Sequence, residues 1–445
     1  MQKLVMARRL IHRVVLAAVV VVGSDTAGLA WAQTWNPGTE LNAALKEATG
    51  GRLQFSFEER MRFEARTGNN FGNSPSLENP LIRTRIGASI RAADWLKFSA
   101  MGQDCRAPEY GVPAPNTVRD TMDLHEAYVE LFPDAKAFFG LTAGRQMVSY
   151  GEGRLIGVPQ WGNLSRTYDT ARFHFLFPLA RVEFLMVSPV KILPDVYNRP
   201  ELGDRVTGVY STLPKLIHKG TVEAYFLRHD QNRPGGFTAP GSLGINTWGG
   251  RAVQPLPFGM KYSVEGAVQS GHTGALTHRG YAWFTNLSRT VHAGRPLDLS
   301  LEYKFASGNS GSDATRETTF DQLYAANHDK FGHEDLFGWR NIRNLRSLEV
   351  FHITGKIAIN LMYDSWWLAD AHDALYNGSG RSIVVRAKGN AGTHVGQELD
   401  GFATYQSNGW QFGLGFGHLF KGEYLKNTTP GVNTRYLYIY QAFAF

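Results

Sequence analysis

Arginine recurs at even spacings in two consecutive segments of the chain, as Arg60, Arg62 and Arg66 in the first and Arg83, Arg85 and Arg91 in the second. A guanidinium is a permanent cation whose planar fork matches a carboxylate bidentately. On an extended chain, even spacing puts such groups on one face. If hairpin pairing makes the two segments neighbours, that face concentrates anions. The competing reading is structural: the arginines pair with Glu58, Glu64, Glu126 and Glu130 for structure and solubility alone. No matching block of acids lies in the same two segments, so anion guidance is expected of the cluster.

Two other constellations carry chemistry. Between Gly144 and Arg172 the chain holds Arg145, Arg154, Arg166, Asp169 and Arg172 among glycines and polar aromatics, a composition that reads as an inward or extracellular loop. Further on, His328, Asp329, His333, Glu334 and Asp335 offer ligands for a divalent cation. Nothing in their spacing fixes a geometry, so a solvated loop is expected there, with no metal and no cofactor. No serine sits in a nucleophile elbow and no Ser/His/acid arrangement is visible, which argues against an enzyme. The single cysteine, Cys105, excludes an internal disulfide or a multi-thiolate metal site, and its place at the start of a predicted exterior loop suggests an incidental thiol.

The elements that must position these residues are strands. From Leu53 to Phe63, Leu53, Phe55, Phe57, Met61 and Phe63 alternate with Gln54, Ser56, Glu58, Arg60 and Arg62. The same period recurs at Ile82 to Arg91, with Leu297, Leu299, Leu301, Tyr303 and Phe305 against Asp298, Ser300, Glu302 and Lys304, and again from Trp410 to Phe420. Eighteen such segments are predicted, the first at 51–66 and the last at 434–445. The connections alternate between long (67–79, 105–119, 148–170, 189–203, 307–344, 369–396, 421–433) and short (93–94, 132–135, 178, 355, 407–408). That pattern predicts an all-β, transmembrane, antiparallel up-and-down β-barrel with long extracellular loops and short periplasmic turns, surrounded by outer-membrane lipid. A soluble sandwich or barrel fits the alternation as well. It would need an apolar filling, whereas the inward set here is Arg, Glu, Ser, Gln and Gly. The closing strand, Tyr436 to Phe445, ends on an aromatic residue in the manner read by the barrel-assembly machinery.

Composition agrees. Forty-eight Gly and 18 Tyr, together with a slightly polar mean hydropathy, argue against disorder and against a bundle of apolar helices. Residues 1–32 combine a basic start, an apolar run and the ending Ala30, Trp31, Ala32, which reads as a cleavable signal peptide. Without its four basic residues and Asp25 the mature chain carries 42 basic against 38 acidic groups, +4 in place of +7. Export argues against nucleic acid as a partner and places the protein in the cell outer membrane. Residues 33–50 form an N-terminal periplasmic segment whose stretch 38–49 has helical composition. A capping helix or ordered tail is expected there rather than an inward-folding plug, and 51–445 is read as a single barrel.

The run formed by Gly144, Arg145, Gln146, Tyr150, Gly151, Gly153 to Gly157, Trp161, Asn163, Arg166 to Asp169, Ala171 and Arg172 resembles the alginate export domain of outer-membrane porins. Phe320 to Tyr324, Asn327 to Gly332 and Asp335 to Asn341 carry the resemblance further, as does Gly417 to Asn427. It implies an 18-stranded barrel whose arginine-rich constriction passes an anionic uronate polymer outward by passive diffusion, with periplasmic export components as further partners. It also implies that Arg145, Arg154 and Arg172, with the strand arginines, bind polymer carboxylates, and that Asp169 holds one of them in place. A general or uptake porin for small anions, sugar acids or oligosaccharides is the alternative, and a barrel hydrolase a third reading.

Overall fold

In β1 (Leu53–Thr67) the period of two becomes two faces: Arg60, Arg62 and Glu64 are buried while Phe63 is exposed. The computed structural model describes residues 36–108, 118–232, 241–384 and 388–445; the expected signal peptide lies outside them. Seventeen further long strands follow. They are β2 (Leu77–Ala93), β3 (Leu96–Arg106), β4 (Asp120–Leu131), β5 (Phe139–Gln146), β6 (Tyr168–Leu176) and β7 (Arg181–Lys191). Next come β8 (Asp204–Leu213), β9 (Thr221–Gln231), β10 (Leu243–Pro255), β11 (Met260–Thr273), β12 (Tyr281–Ala293) and β13 (Arg295–Ala306). The last five are β14 (Ile342–His352), β15 (Ile357–Leu368), β16 (His394–Ser407), β17 (Trp410–Lys421) and β18 (Thr434–Ala444).

Each strand pairs antiparallel with the next, and β18 returns to β1, with Glu58 opposite Ala444 and Thr67 opposite Arg435. The sheet is therefore closed and has no free edge. Ile86, Trp248, Val268, Leu301, Phe416 and Ile439, from six strands, are all exposed on its outside. An apolar band of that extent suits hydrocarbon, not water. Among the described residues no helix is long and apolar enough to cross a membrane.

Turns and loops alternate around the two rims as expected. One of the tight turns is Asn408 and Gly409, with φ of 49° and 84°, which joins β16 to β17. Two positive φ values in a two-residue hairpin are the type I′ arrangement, whose twist matches that of paired strands. Helix α1 (Pro37–Thr49) lies at this same rim. Asn36 caps it by accepting from the amides of Gly38 and Thr39 at 3.0 and 3.2 Å. Asn42 fastens it to β1 through both the amide and the carbonyl of Phe55, at 3.0 and 2.9 Å.

The opposite rim departs from a hollow polar barrel. Loops 147–167 and 307–341 turn inward and, with residues 369–384 and 388–393, build an apolar core inside the ring that includes Phe320, Phe331, Phe337, Trp339 and Trp366, all fully buried. Each such ring contributes roughly 1.5–3 kcal/mol when removed from water. Loop 307–341 is thus not the solvated loop that its charges suggest. The stretch from Gly144 to Arg172 is likewise loop only in its middle, since Arg145 and Gln146 end β5 and Tyr168 to Arg172 begin β6. Cys105 belongs to β3 rather than to a loop; it is buried, and its Sγ donates to the Asn163 carbonyl at 3.1 Å.

Candidate functional site

The register of the first hairpin sets Arg60 directly opposite Arg83 and Glu58 opposite Arg85. Like charges facing one another across a ladder repel. They coexist here because most of their donors are taken, Nε of Arg60 being the exception. Arg83 binds Glu58 through Nε at 2.6 Å and Nη2 at 2.5 Å, and Arg85 reaches the same carboxylate at 3.3 Å. Arg60 donates to the carbonyls of Gln160 and Gly162 at 3.0 and 2.7 Å, and Arg83 donates to the same two at 3.0 Å each. Arg85 adds Gln103 at 2.9 Å and Ser165 at 2.5 Å.

The row continues up β1. Arg62 pairs with Glu64 at 2.8 Å, donates to the Trp161 carbonyl and lies 4.1 Å over the Trp161 ring. Arg66 donates to the Glu334 carbonyl at 2.8 Å and lies 3.7 Å over Tyr436. The strand arginines therefore hold the inward loops by their main chain. The charge that spacing leaves without acidic partners is met by carbonyl oxygens from a distant part of the chain, together with Glu58 and Glu64.

The remaining candidates separate. Arg91 sits at the turn end of β2 and, among the described residues, its side chain reaches only the Asp94 carbonyl, at 3.4 Å, away from the cluster. Arg145 and Asp169 form a two-pronged pair at 2.9 and 3.1 Å. In β5 and β6 they alternate with Gln146 and Thr170, which are buried and bonded to each other on the lumen side. Arg145 and Asp169 thus share the outward face with Phe173, close to the loop rim, rather than pointing into the lumen. Arg172 does face inward and binds Gln146 at 2.5 Å and Glu183 at 3.4 Å. Arg166 joins the two loops, donating to the carbonyls of Tyr324 and Ala325 at 2.6 and 3.2 Å.

Arg154 lies in the lumen at the edge of a cavity of about 350 Å³. It binds Glu302 at 2.8 Å and Glu152 at 3.2 Å, and its guanidinium carbon lies 3.6 Å over Phe284. Glu152, Glu302, Asp329, Lys330 and Arg346 complete the charged lining. Burial pushes the Glu152 carboxyl up, but Arg154 and Arg251 outweigh it and hold the group below the ordinary carboxylate range. Burial likewise depresses the Lys330 ammonium. Behind the cavity, Lys304 is fully buried and pairs with Glu302 at 2.6 Å, while Arg346 pairs with Asp364 at 2.9 Å. Sequence reasoning sees Glu302 and Lys304 only as the polar face of a strand and passes over Arg346; the same alternation that marks β1 and β2 was the available signal.

On the far wall a buried network fastens the second loop. His229 bridges Asp321 at 2.6 Å and Asp204 at 3.1 Å, and the Tyr324 hydroxyl donates to Asp204.

The barrel matches solved structures from Pseudomonas aeruginosa. Outer membrane protein OpdK aligns with a TM-score of 0.63 at 9% identity, over 88% of this chain and 98% of that one. OccK3 (OpdO) gives 0.60 at 12% identity, over 88% and 95%, and OccD3 (OpdP) gives 0.60 at 13% identity, over 88% and 91%. At such identities the likeness is one of fold. No curated protein sequence matches the chain. The alginate export family, by contrast, matches residues 51–438, nearly the whole barrel. With its closed sheet, its apolar outer band and that match, the chain belongs to the alginate export family of outer-membrane β-barrel channels.

Proposed function

We propose that this channel passes anionic carbohydrate by passive diffusion, with solute carboxylates guided by guanidinium groups at the lumen constriction. One observation carries the reading. Beside the 350 Å³ cavity, Arg154 has Nε and Nη1, and Arg346 has Nη2, without a hydrogen-bond partner among the described residues, although both side chains are buried. A buried donor left unpaired costs about 1–3 kcal/mol. A carboxylate that enters here and displaces the side chains now covering these donors offers them the acceptors they lack. The family name makes a uronate polymer leaving the cell the first candidate cargo.

A second reading, uptake of sugar acids or short oligosaccharides, is favoured by the width of the opening. Two loops cross the lumen, and the cavity between them and the wall is near the lower end of the roughly 300–1,000 Å³ typical of small-ligand sites. OpdK has been solved with vanillate, itself a carboxylate, in a barrel of the same fold.

Planar-bilayer recording tests both. Anion selectivity is expected, with current block by oligouronates whose duration grows with chain length. Block by monomeric sugar acids that does not lengthen with the oligomer supports the second reading. Cation selectivity overturns both.

A further inference from the structure

In loop 307–341, His328, Asp329 and His333 each bring a potential ligand atom within 4.8 Å of the other two. The hydrogen bonds around them say which atoms converge. Nδ1 of His328 is taken by Asp335 at 2.8 Å, and Nε2 of His333 by the Tyr438 hydroxyl at 2.7 Å. That leaves Nε2 of His328, which lies 3.3 Å from Asp329 Oδ1, and Nδ1 of His333, which is buried and has no hydrogen-bond partner among the described residues.

Each imidazole thus has one nitrogen fixed by an outer partner and the other turned into the cluster, the arrangement that orients histidines as metal ligands. Both rings are also held flat. His328 stacks on Trp161 with centroids 4.6 Å apart and planes 5° from parallel, and His333 stacks on Phe402 at 4.5 Å and 8°. Two ligands at about 2.0–2.1 Å from a tetrahedral ion lie roughly 3.4 Å apart, close to the 3.3 Å between His328 and Asp329. Of the two cations beside the cluster, Lys330 lines the cavity next to Asp329, while Arg346 is committed to Asp364 by two contacts at 2.9 and 3.1 Å and reaches Asp329 only through its main-chain carbonyl.

We propose that His328, Asp329 and His333 form a site for a borderline divalent transition-metal ion of the Zn²⁺ class, with two nitrogen ligands, one oxygen ligand and an open position. The ligand types select such an ion over Ca²⁺ or Mg²⁺, which take oxygen. Asp329 also lines the cavity, so a bound ion adds positive charge at its edge. That consequence rests on the channel reading; the site itself does not.

The test uses the untagged full barrel, with Zn²⁺ measured by titration calorimetry and by metal content after desalting. One Zn²⁺ per chain is expected, together with the visible spectrum of four-coordinate Co²⁺ on substitution. Asp329→Asn and His328→Gln should each weaken Zn²⁺ at least about tenfold, and Ca²⁺ should not compete. Since a change at His333 could disturb loop packing, Asp329→Asn is the deciding variant, its side chain being 71% exposed. His352→Gln, which breaks a separate His–Asp pair with Asp298, should leave binding unchanged. No stoichiometric Zn²⁺ in the unmodified chain, or equal affinity in Asp329→Asn and His328→Gln, overturns the site whatever the channel carries.

Discussion

Ile156 and Tyr324 lie side by side in a parallel bridge, with the Tyr324 amide donating to the Leu155 carbonyl at 2.8 Å and the Gly157 amide donating to the Tyr324 carbonyl at 3.1 Å. Backbone bonds of this kind make two loops from distant parts of the chain into one lining element. Two of that element's attachments to the wall lie in buried polar clusters. The arginines of β1 and β2 hold it on one wall, and His229 with Asp204 holds it on the other through Asp321 and Tyr324.

Releasing the first attachment should widen the channel. In the double variant Arg60→Met, Arg83→Met, the carbonyls of Gln160 and Gly162 lose all four of their guanidinium contacts, and Glu58 loses its closest partner. Each buried acceptor left short costs on the order of 1–3 kcal/mol, while the strand ladder that folds the barrel is untouched. Larger and noisier single-channel conductance is expected. Conductance and noise equal to those of the unmodified chain would show that loop 147–167 does not set the opening.

The second attachment should be acid-sensitive. Burial raises the Asp321 carboxyl, but His229 overrides it and brings the group from 3.8 down to about 2. A carboxylate depressed in this way stabilises the loop fully above its unfolded value and loses that contribution as pH falls through the folded one. The window therefore runs from about pH 4 down to about pH 2, and the contribution at neutral pH is on the order of 2 kcal/mol. Conductance noise should stay constant from neutral pH to about pH 4 and rise below it. Asp321→Asn should be noisy at neutral pH, and a quiet Asp321→Asn channel would remove this pair from the latch.

The strands were legible because lipid and lumen impose opposite chemistry on alternate residues, so their period survives in the sequence. Parity held more information than the motif did. Phe139, Leu141 and Arg145 share one parity in β5, and Asp169 and Phe173 share one in β6, so the apolar members already place Arg145 and Asp169 on the outer face. The inward loops were legible only in part, as one of two readings of the stretch from Gly144 to Arg172, for the converse reason. Phe320, Phe331, Phe337 and Trp339 pack with no regular period, and the acceptors of Arg60 and Arg83 are backbone carbonyls, which every residue carries and no spacing reveals.

Charge at the cavity should decide selectivity. Arg154→Gln removes one of its three cations, the others being Lys330 and Arg346, and leaves Glu152, Glu302 and Asp329 in excess. A narrow, low-dielectric passage focuses the field of such a change. The reversal potential in a salt gradient should move toward cations by a several-fold change in permeability ratio. Arg91→Gln, at the turn rim, and Arg145→Gln, on the outer face, should leave it where it was. Equal shifts from all three would mean that total charge, not the cavity, governs selectivity.

The turn between β16 and β17 lies beside the strand that closes the barrel. Gly409 adopts φ 84°, and a Cβ there would come 2.5 Å from the Ala444 carbonyl, while its own carbonyl accepts from the Ala444 amide at 2.9 Å. Gly409→Ala therefore meets a left-handed backbone, costing about 1–2 kcal/mol, and a clash with the last strand at the point where β18 meets both β17 and β1. Because a one-residue slip would turn every lumen side chain toward lipid, slower assembly should accompany the lost stability. The temperature at which the folded band disappears in heat-modified gel mobility is expected to fall, whereas Asn408→Gly, which suits the 49° at the preceding position, should leave it unchanged or raise it. A Gly409→Ala barrel that assembles and melts like the unmodified chain would mean that the register is fixed by strand pairing alone.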